Sequence, residues 1–248
     1  MKEIFTGLRY AFSSFGYIRR NGLRYVYLIS LALIILYTVA NVGVTDVVST
    51  YIRSLVDMWL VTMSLPDWLN TAISTTANIM TSVICFFAIA TIGGSVIVIL
   101  LSPLFSHIAE KVNTQLTGKS NPFKFKVFLY QIWRGIGISL RNILIQYAII
   151  IALFILSFFP AIGWVCNVAI FFVNAFFYGF TLTDYAFEAK MLTIRRSTSF
   201  AHANKLTLIG LGLPFAMCMF IPVIGSYIAA FVVPATVVGG MRMLCERE

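Results

Sequence analysis

A long hydrophobic run, 79–101, contains no charged residue and predicts a helix that spans a membrane. At about 1.5 Å per residue it is long enough to cross a hydrocarbon core of roughly 30 Å. Beyond it, Pro103 is expected to kink the helix, and apolar residues keep a helical spacing as far as Gly118. Because glycine often ends a helix, segment 77–118 is predicted to be a second span with a cytoplasmic extension.

Three segments precede this helix. Apolar residues of 1–22 recur at helical spacing, which predicts an amphipathic helix that lies on the membrane surface or packs on the protein's own body. The apolar run 23–44 predicts the first membrane span, and the mixed segment 45–76 predicts an external connection.

The second half of the chain contains an internal repeat. Segments 143–182 and 206–241 each consist of two apolar arms joined by Pro-x-Ile-Gly, at 160–163 and 222–225. Such a turn predicts an antiparallel helical hairpin. Several arms have only about 16 to 19 residues against the roughly 20 that a span needs, which leaves open whether the hairpins cross fully or turn back partway.

The composition defines the fold class. Of the 248 residues, 60% are hydrophobic and 11% are charged, whereas soluble domains carry about 25% charged residues. We therefore predict a single membrane domain over 1–248. Its fold class is an all-α integral membrane protein with two long transmembrane helices, two short hairpins and amphipathic interfacial helices.

The charge distribution predicts the topology. Segment 45–76 has one basic and three acidic residues, whereas 105–142 has six basic residues and one acidic residue. The positive-inside rule places 45–76 outside and both termini, 105–142 and 183–205 in the cytoplasm. Aromatic residues among the basic residues of 119–142 indicate an interfacial helix. Nucleic-acid binding is a common role for such a pattern but is not expected on a membrane chain.

Catalysis and metal binding have little support in the sequence. His107 and His202 have no second ligand at metal spacing, and the four cysteines form neither a disulfide framework nor a zinc motif. There is no nucleophile elbow and no glycine-rich phosphate loop. We expect no enzyme activity, no catalytic residue, no metal and no cofactor.

Anion binding is better supported. Gly22, Leu23 and Arg24 stand at the start of the first span, directly after Arg19 and Arg20. A helix N-terminus favours an anion, and a guanidinium offers a planar fork of donors to an oxyanion. The alternative is that these arginines anchor the helix to lipid headgroups and fix the topology. The spacing alone favours that alternative.

Three other charged residues are candidates for a pathway or gating role. Glu110 and Lys111 are adjacent on the predicted helix, so they need not bond to each other, and an exposed helix end also explains them. Asp184 follows an apolar arm. It is expected to cap that helix or to pair with Arg195 or Arg196, and a transport role is the further possibility.

Short motifs follow one another in order over nearly the whole chain. They are Gly22-Leu23-Arg24, Ser102-Pro103, Ala109-Glu110-Lys111-Val112, Leu116-Thr117-Gly118, Asp184-Tyr185, Arg195-Arg196 with Phe200, Ile-Pro-Val-Ile-Gly at 221–225 and Pro-Ala-Thr-Val-Val-Gly at 234–239. This order resembles the CysZ sulfate permeases, which belong with the etoposide-induced membrane proteins. The chain departs from that pattern at Leu104 and Phe105, at Asn113 and at Ala186.

The resemblance implies an inner-membrane protein with two full spans and two partly penetrating hairpins, assembled as a homo-oligomer. It also implies sulfate uptake for cysteine biosynthesis without ATP hydrolysis, with sulfate held at Gly22, Leu23 and Arg24. The expected partners are therefore sulfate or a related oxyanion and the lipid bilayer.

A membrane scaffold or lipid-organising protein without a transport path is the competing hypothesis. It is supported by the amphipathic N-terminus, the interfacial basic helix and the scarcity of charge within the spans, since solute pathways often contain intramembrane ionisable residues. An anion route could instead be lined by hydroxyl groups. The candidates are Thr81, Ser82, Thr91 and Ser95.

Overall fold

The structure is a computed structural model that describes residues 2–62, 66–118, 125–159, 162–221 and 224–247. Within those ranges every regular element is an α-helix. In chain order the helices are α1 (Lys2–Arg20), α2 (Tyr25–Thr62), α3 (Asp67–Thr117), α4 (Phe125–Ser157), α5 (Gly163–Ala189), α6 (Ile194–Ala203), α7 (Lys205–Met219) and α8 (Ile224–Arg247). The predicted all-α fold class is confirmed.

Four helical segments among the described residues are long and apolar enough to cross a membrane. They are Tyr25–Trp59, Trp133–Ser157, Gly163–Ala189 and Tyr227–Arg247. The chain is therefore a multi-pass membrane protein, as the sequence predicted.

Several helices continue past the predicted boundaries. α2 has 38 residues and runs well beyond the expected end of the first span at position 44. α4 has 33 residues and joins the predicted interfacial helix 119–142 to the first arm of the first hairpin. Scattered polar residues do not by themselves end a helix, so a change in hydropathy is not a helix boundary.

The hairpin arms differ in length. α5 has 27 residues and α8 has 24, so both are longer than the predicted arms, whereas α7 has only 15. Of the two turns, residues 160–161 and 222–223 lie outside the described ranges. The glycine that ends each turn makes the same bond: the Gly163 N–H donates to the Phe159 carbonyl at 2.9 Å, and the Gly225 N–H to the Ile221 carbonyl at 3.0 Å.

The end of α3 agrees with the prediction. The helix passes through Pro103 and ends at Thr117. Gly118 has a φ of 69°, and its N–H donates to the Thr114 carbonyl at 2.9 Å. Glycine adopts this left-handed conformation without a steric penalty, so the predicted terminator acts as one.

The chain divides into two compact units. The first comprises Met1–Tyr27 with Ser102–Glu248, and the second comprises Leu28–Leu101. In the first unit, α7 packs against α1, α5 and α8, and α5 also packs against α4 and α8. The core of this unit includes the fully buried side chains of Phe187, Leu208, Leu211, Met241 and Leu244.

Glycines allow α7 to approach two neighbouring helices. A Cβ on Gly210 would collide with the backbone of Ile4 in α1, and a Cβ on Gly212 would collide with the backbone of α5 near Gly179. On the facing helices, a Cβ on Gly7 or on Gly179 would collide with the α7 backbone. Small residues at both sides of a contact permit such close packing between membrane helices.

α1 packs on the protein's own body through one face. Gly7, Ala11, Ser14 and Ile18 are buried, and the helix contacts α7 and α8. Two hydrogen bonds fix it to α8. The Tyr10 hydroxyl donates to Glu246 at 2.5 Å, and an Arg242 terminal nitrogen donates to the Ser13 hydroxyl at 2.8 Å.

The second unit pairs α2 with α3 through polar side chains. The Arg53 guanidinium donates to the Ser82 hydroxyl, and the Ser74 hydroxyl donates to Asp57 at 3.0 Å. The candidate pathway residue Ser82 is therefore bonded to a cation.

Candidate functional site

The turn between α1 and α2 contains the predicted anion-binding residues, and its backbone explains the glycine. The Leu23 N–H donates to the Ile18 carbonyl at 3.1 Å, and the Asn21 N–H donates to the Tyr17 carbonyl at 3.0 Å. Gly22 has a φ of 70°. These are features of a Schellman motif, in which the residue in the left-handed conformation is usually glycine.

Leu23 is a packing residue in this turn. Its side chain is fully buried, and so is that of Ile18. In a Schellman motif, these two positions commonly make a hydrophobic contact. The side chain of Leu23 therefore fixes the turn, and its backbone N–H is already bonded to the Ile18 carbonyl.

Arg24 closes the carboxyl end of α1. Its Nε–H donates to the Arg19 carbonyl oxygen at 3.2 Å, which satisfies an acceptor that the helix end leaves open. The residue is exposed, and its two terminal nitrogens have no hydrogen-bond partner in the described part of the chain. The guanidinium is thus held in place while its fork remains free.

Lys111, near the end of α3, lies beside the turn between α1 and α2. Its Nζ lies 5.2 Å from the ring centroid of Tyr25, the first residue of α2. Nearby, the Tyr17 hydroxyl bonds to Gln115 at 3.0 Å. Burial raises the pKa of Tyr17, so this phenol stays neutral. Glu110, by contrast, makes no side-chain hydrogen bond or ion pair among the described residues.

The turn is strongly basic. Arg19, Arg20 and Arg24 are exposed on it, Lys111 lies beside it, and no carboxylate pairs with any of these four among the described residues. α2 begins here, so its helix dipole adds positive potential. The four side chains together form a basic cluster, Arg19, Arg20, Arg24 and Lys111, that suits an oxyanion.

Buried polar atoms accompany the cluster. The hydroxyls of Tyr25 and Tyr27 and the Oδ1 of Asn113 are buried without a partner among the described residues. An unsatisfied buried polar group costs about 1–3 kcal/mol. These atoms therefore favour a polar ligand or water alongside the segments that form the turn.

Asp184 lies in a second, separate cluster. It sits within α5, and its carboxylate is 2.9 Å from Arg134 of α4. The expected pairing with Arg195 or Arg196 is wrong, because the carboxylate pairs with Arg134 instead. The expected position after the helix is also wrong, since α5 continues to Ala189.

Arg134 is a buried charged residue that the sequence analysis missed. It was assigned to an interfacial basic helix, but it is buried and donates to the Leu192 carbonyl at 2.7 Å and to the Ser197 hydroxyl at 2.8 Å. The signal was available. Asp184 stands inside a helix long and apolar enough to span, so it requires a cation from a neighbouring helix.

The start of the α3 extension faces the same part of α5. The Ser106 hydroxyl bonds to Glu188 at 3.2 Å, and the Phe105 ring meets the Tyr185 ring edge-on at 5.6 Å between centroids. The departure at Phe105 therefore serves packing, because its side chain is fully buried. Asp184 and Glu188, one turn apart on α5, thus have partners on α4 and α3.

A metal centre has no support in the described ranges, where no three His, Cys, Asp or Glu side chains come together to hold an ion. What the molecule offers instead is several apolar spans and one basic turn. These features define a helical multi-pass membrane protein with a candidate oxyanion site.

The family agrees with that class. Residues 10–229 match the family described as sulfate transporter CysZ/etoposide-induced protein 2.4, and the chain belongs to it. The resemblance drawn from the motifs is thereby confirmed, and the family is of transporter type.

Proposed function

We propose that the protein is an inner-membrane permease for sulfate or a related oxyanion, which supplies cysteine biosynthesis without ATP hydrolysis. The observation that carries the proposal is the basic turn, in which Arg24 is held by the Arg19 carbonyl and keeps its terminal nitrogens free. The family to which the chain belongs supports the choice of sulfate.

In this proposal the oxyanion lies at Gly22, Leu23 and Arg24. The Arg24 fork donates two hydrogen bonds to it, and backbone N–H groups at the start of α2 provide further donors. Arg19 and Arg20 attract the anion to the turn, and Lys111 receives it from the α3 side.

The acidic residues have supporting roles. Glu110 lies next to Lys111 on the α3 extension and tunes the potential at the pathway entrance. Asp184 holds α4 and α5 in position through Arg134. It does not contact the anion in this proposal, because a carboxylate would repel an anion.

We also propose that both termini face the cytoplasm and that the protein works as a homo-oligomer. The bond between Tyr10 and Glu246 brings α1 and the end of α8 to the same side of the first unit, which supports the placement of the termini. The basic excess of 105–142 supports the cytoplasm as that side.

Labelled-sulfate uptake into liposomes containing the purified protein tests the proposal. Arg24→Gln removes the charge but keeps a donor for the Arg19 carbonyl. Hydrogen bonds to charged groups contribute about 1.5–3 kcal/mol, so uptake at low sulfate should fall at least about tenfold. Arg9→Gln removes an equal charge from an exposed position of α1 outside the basic cluster, and it should transport normally.

The outcomes separate the two candidate functions. Saturable uptake that falls only in Arg24→Gln supports an oxyanion permease with this site. No uptake above empty liposomes, with or without a proton gradient, refutes transport of sulfate and favours the scaffold hypothesis.

A further inference from the structure

A cavity of about 350 Å³ lies among α4, α5, α6 and α7, away from the basic turn. Its walls are mostly apolar. They include Ile145, Ile149, Phe172, Phe176, Phe180 and Ile209. Ile149 and Phe172 are each 39% exposed, so the cavity opens along the outer surface of α4 and α5. Because both helices are long and apolar enough to span a membrane, we expect this surface to face lipid.

One end of the cavity is basic. Arg141, His202 and Lys205 belong to its lining, and no lining residue is a carboxylate. A terminal nitrogen of Arg141 donates to the Thr198 hydroxyl at 2.9 Å, which holds the guanidinium at the rim. The positive-inside rule puts this end at the cytoplasmic side.

Asn142 provides an independent sign of a ligand. It lines the cavity and is only 7% exposed. Its Nδ2 is buried and has no hydrogen-bond partner in the described part of the chain. A buried amide donor without an acceptor is costly, so the position favours a ligand that carries an acceptor.

We propose that this cavity binds an anionic phospholipid. The phosphate lies between Arg141 and Lys205 and accepts from the Asn142 amide, and one acyl chain runs along Ile145, Ile149 and Phe172. Basic pockets between membrane helices at the cytoplasmic side bind anionic headgroups in this manner. The volume is near the lower end of the roughly 300–1,000 Å³ of ligand sites, which suits part of a chain. A soluble oxyanion would leave the apolar walls without a partner.

The bond between Gln146 and Asn174, at 2.8 Å, fixes α4 to α5 beside the cavity. Since the two walls are held by a polar contact, the groove between them is built into the fold. The site is independent of the proposed sulfate permease activity, because none of its residues belongs to the basic turn.

The test titrates delipidated full-length protein with phosphatidylglycerol or phosphatidylcholine and counts bound lipids by native mass spectrometry. Phosphatidylglycerol should bind tightly at one site per chain and phosphatidylcholine more weakly. The double variant Arg141→Gln/Lys205→Gln should weaken phosphatidylglycerol binding roughly tenfold or more, as each basic residue near an anionic surface contributes about 1 kcal/mol. Ile149→Trp, which fills the groove, should weaken both lipids.

Arg195→Gln/Arg196→Gln is the matched control, since it removes the same charge from exposed positions of α6 outside the cavity. Equal loss in this control, or equal binding of the two lipids by the wild type, would overturn the proposal. Competition by inorganic phosphate at equal concentration would indicate a site for a free anion and would also overturn it. A change of oligomeric state in Ile149→Trp without any change in lipid binding would show that a second copy of the chain covers the groove.

Discussion

Arg134 and Asp184 form an ion pair between α4 and α5, with Nη2 and Oδ1 2.9 Å apart. The same guanidinium bonds to the Leu192 carbonyl and the Ser197 hydroxyl, so it joins four parts of the first unit. The free-energy cost of burying the Arg134 charge is compensated only while all of these acceptors remain.

Removal of either partner should therefore be strongly destabilising. Asp184→Leu leaves Arg134 buried without its counter-ion, and Arg134→Met leaves the carboxylate, so each should cost about 3–5 kcal/mol. The double variant should lose clearly less than the sum of the two. Unfolding in detergent, followed by heat or denaturant, measures this double-mutant cycle. Additive losses would show that the pair has no coupling and would contradict the interpretation.

The sequence predicted the all-α fold class and a multi-pass membrane protein, because hydrophobic length is a local property. It predicted the helix boundaries less well. α4 runs through the expected break near position 142, because the polar residues there do not oppose a helix. The sequence indicated that Asp184 needs a cation from a neighbouring helix, but it did not identify which one. Arg134 lies far away in the chain, and only the packing of α4 on α5 brings the two residues together.

The sequence analysis singled out Gly22 as part of an anion site, and not as the residue that ends α1. The pattern at 22–24 indicated an anion site at a helix start, whereas the structure shows that Gly22 also ends α1 in the left-handed conformation. One short motif thus has a structural and a proposed binding role.

Gly22→Ala should affect both roles. At a φ of 70° an alanine costs about 1–2 kcal/mol, so the midpoint of unfolding should fall and sulfate should bind more weakly. Gly22→Asn should be milder, because asparagine tolerates this conformation. Gly16→Ala is the control, since its Cβ would meet nothing within 4 Å and should leave stability equal or higher. Equal effects at both positions would contradict the assigned turn.

Lys111 and Glu110 offer a test with adjacent residues. Lys111→Gln removes a cation that lies over Tyr25, beside the turn, and should weaken sulfate binding several-fold. Glu110→Gln should leave binding equal or slightly stronger, because it removes a negative charge without touching the turn. Isothermal titration with sulfate at two salt concentrations measures both, and the Lys111 effect should shrink at high salt. Weaker binding in Glu110→Gln alone would reverse the two assignments.

The close contacts of α7 predict that two glycine substitutions in this helix are destabilising, in contrast to one in α2. Gly210→Ala and Gly212→Ala each place a Cβ against the backbone of a neighbouring helix, α1 or α5, where the contact cannot relax by a rotamer change. Overpacking of this kind costs about 1–3 kcal/mol, so each should lower the unfolding midpoint. Gly43→Ala, within α2 and with nothing near its Cβ, should gain a few tenths to about 1 kcal/mol, because alanine is the better helix former. Limited proteolysis of the variants should show which contact has opened: cleavage within α1 is expected for Gly210→Ala but not for Gly212→Ala. If both variants were as stable as the wild type, α7 could not pack as closely against α1 and α5 as the structure shows.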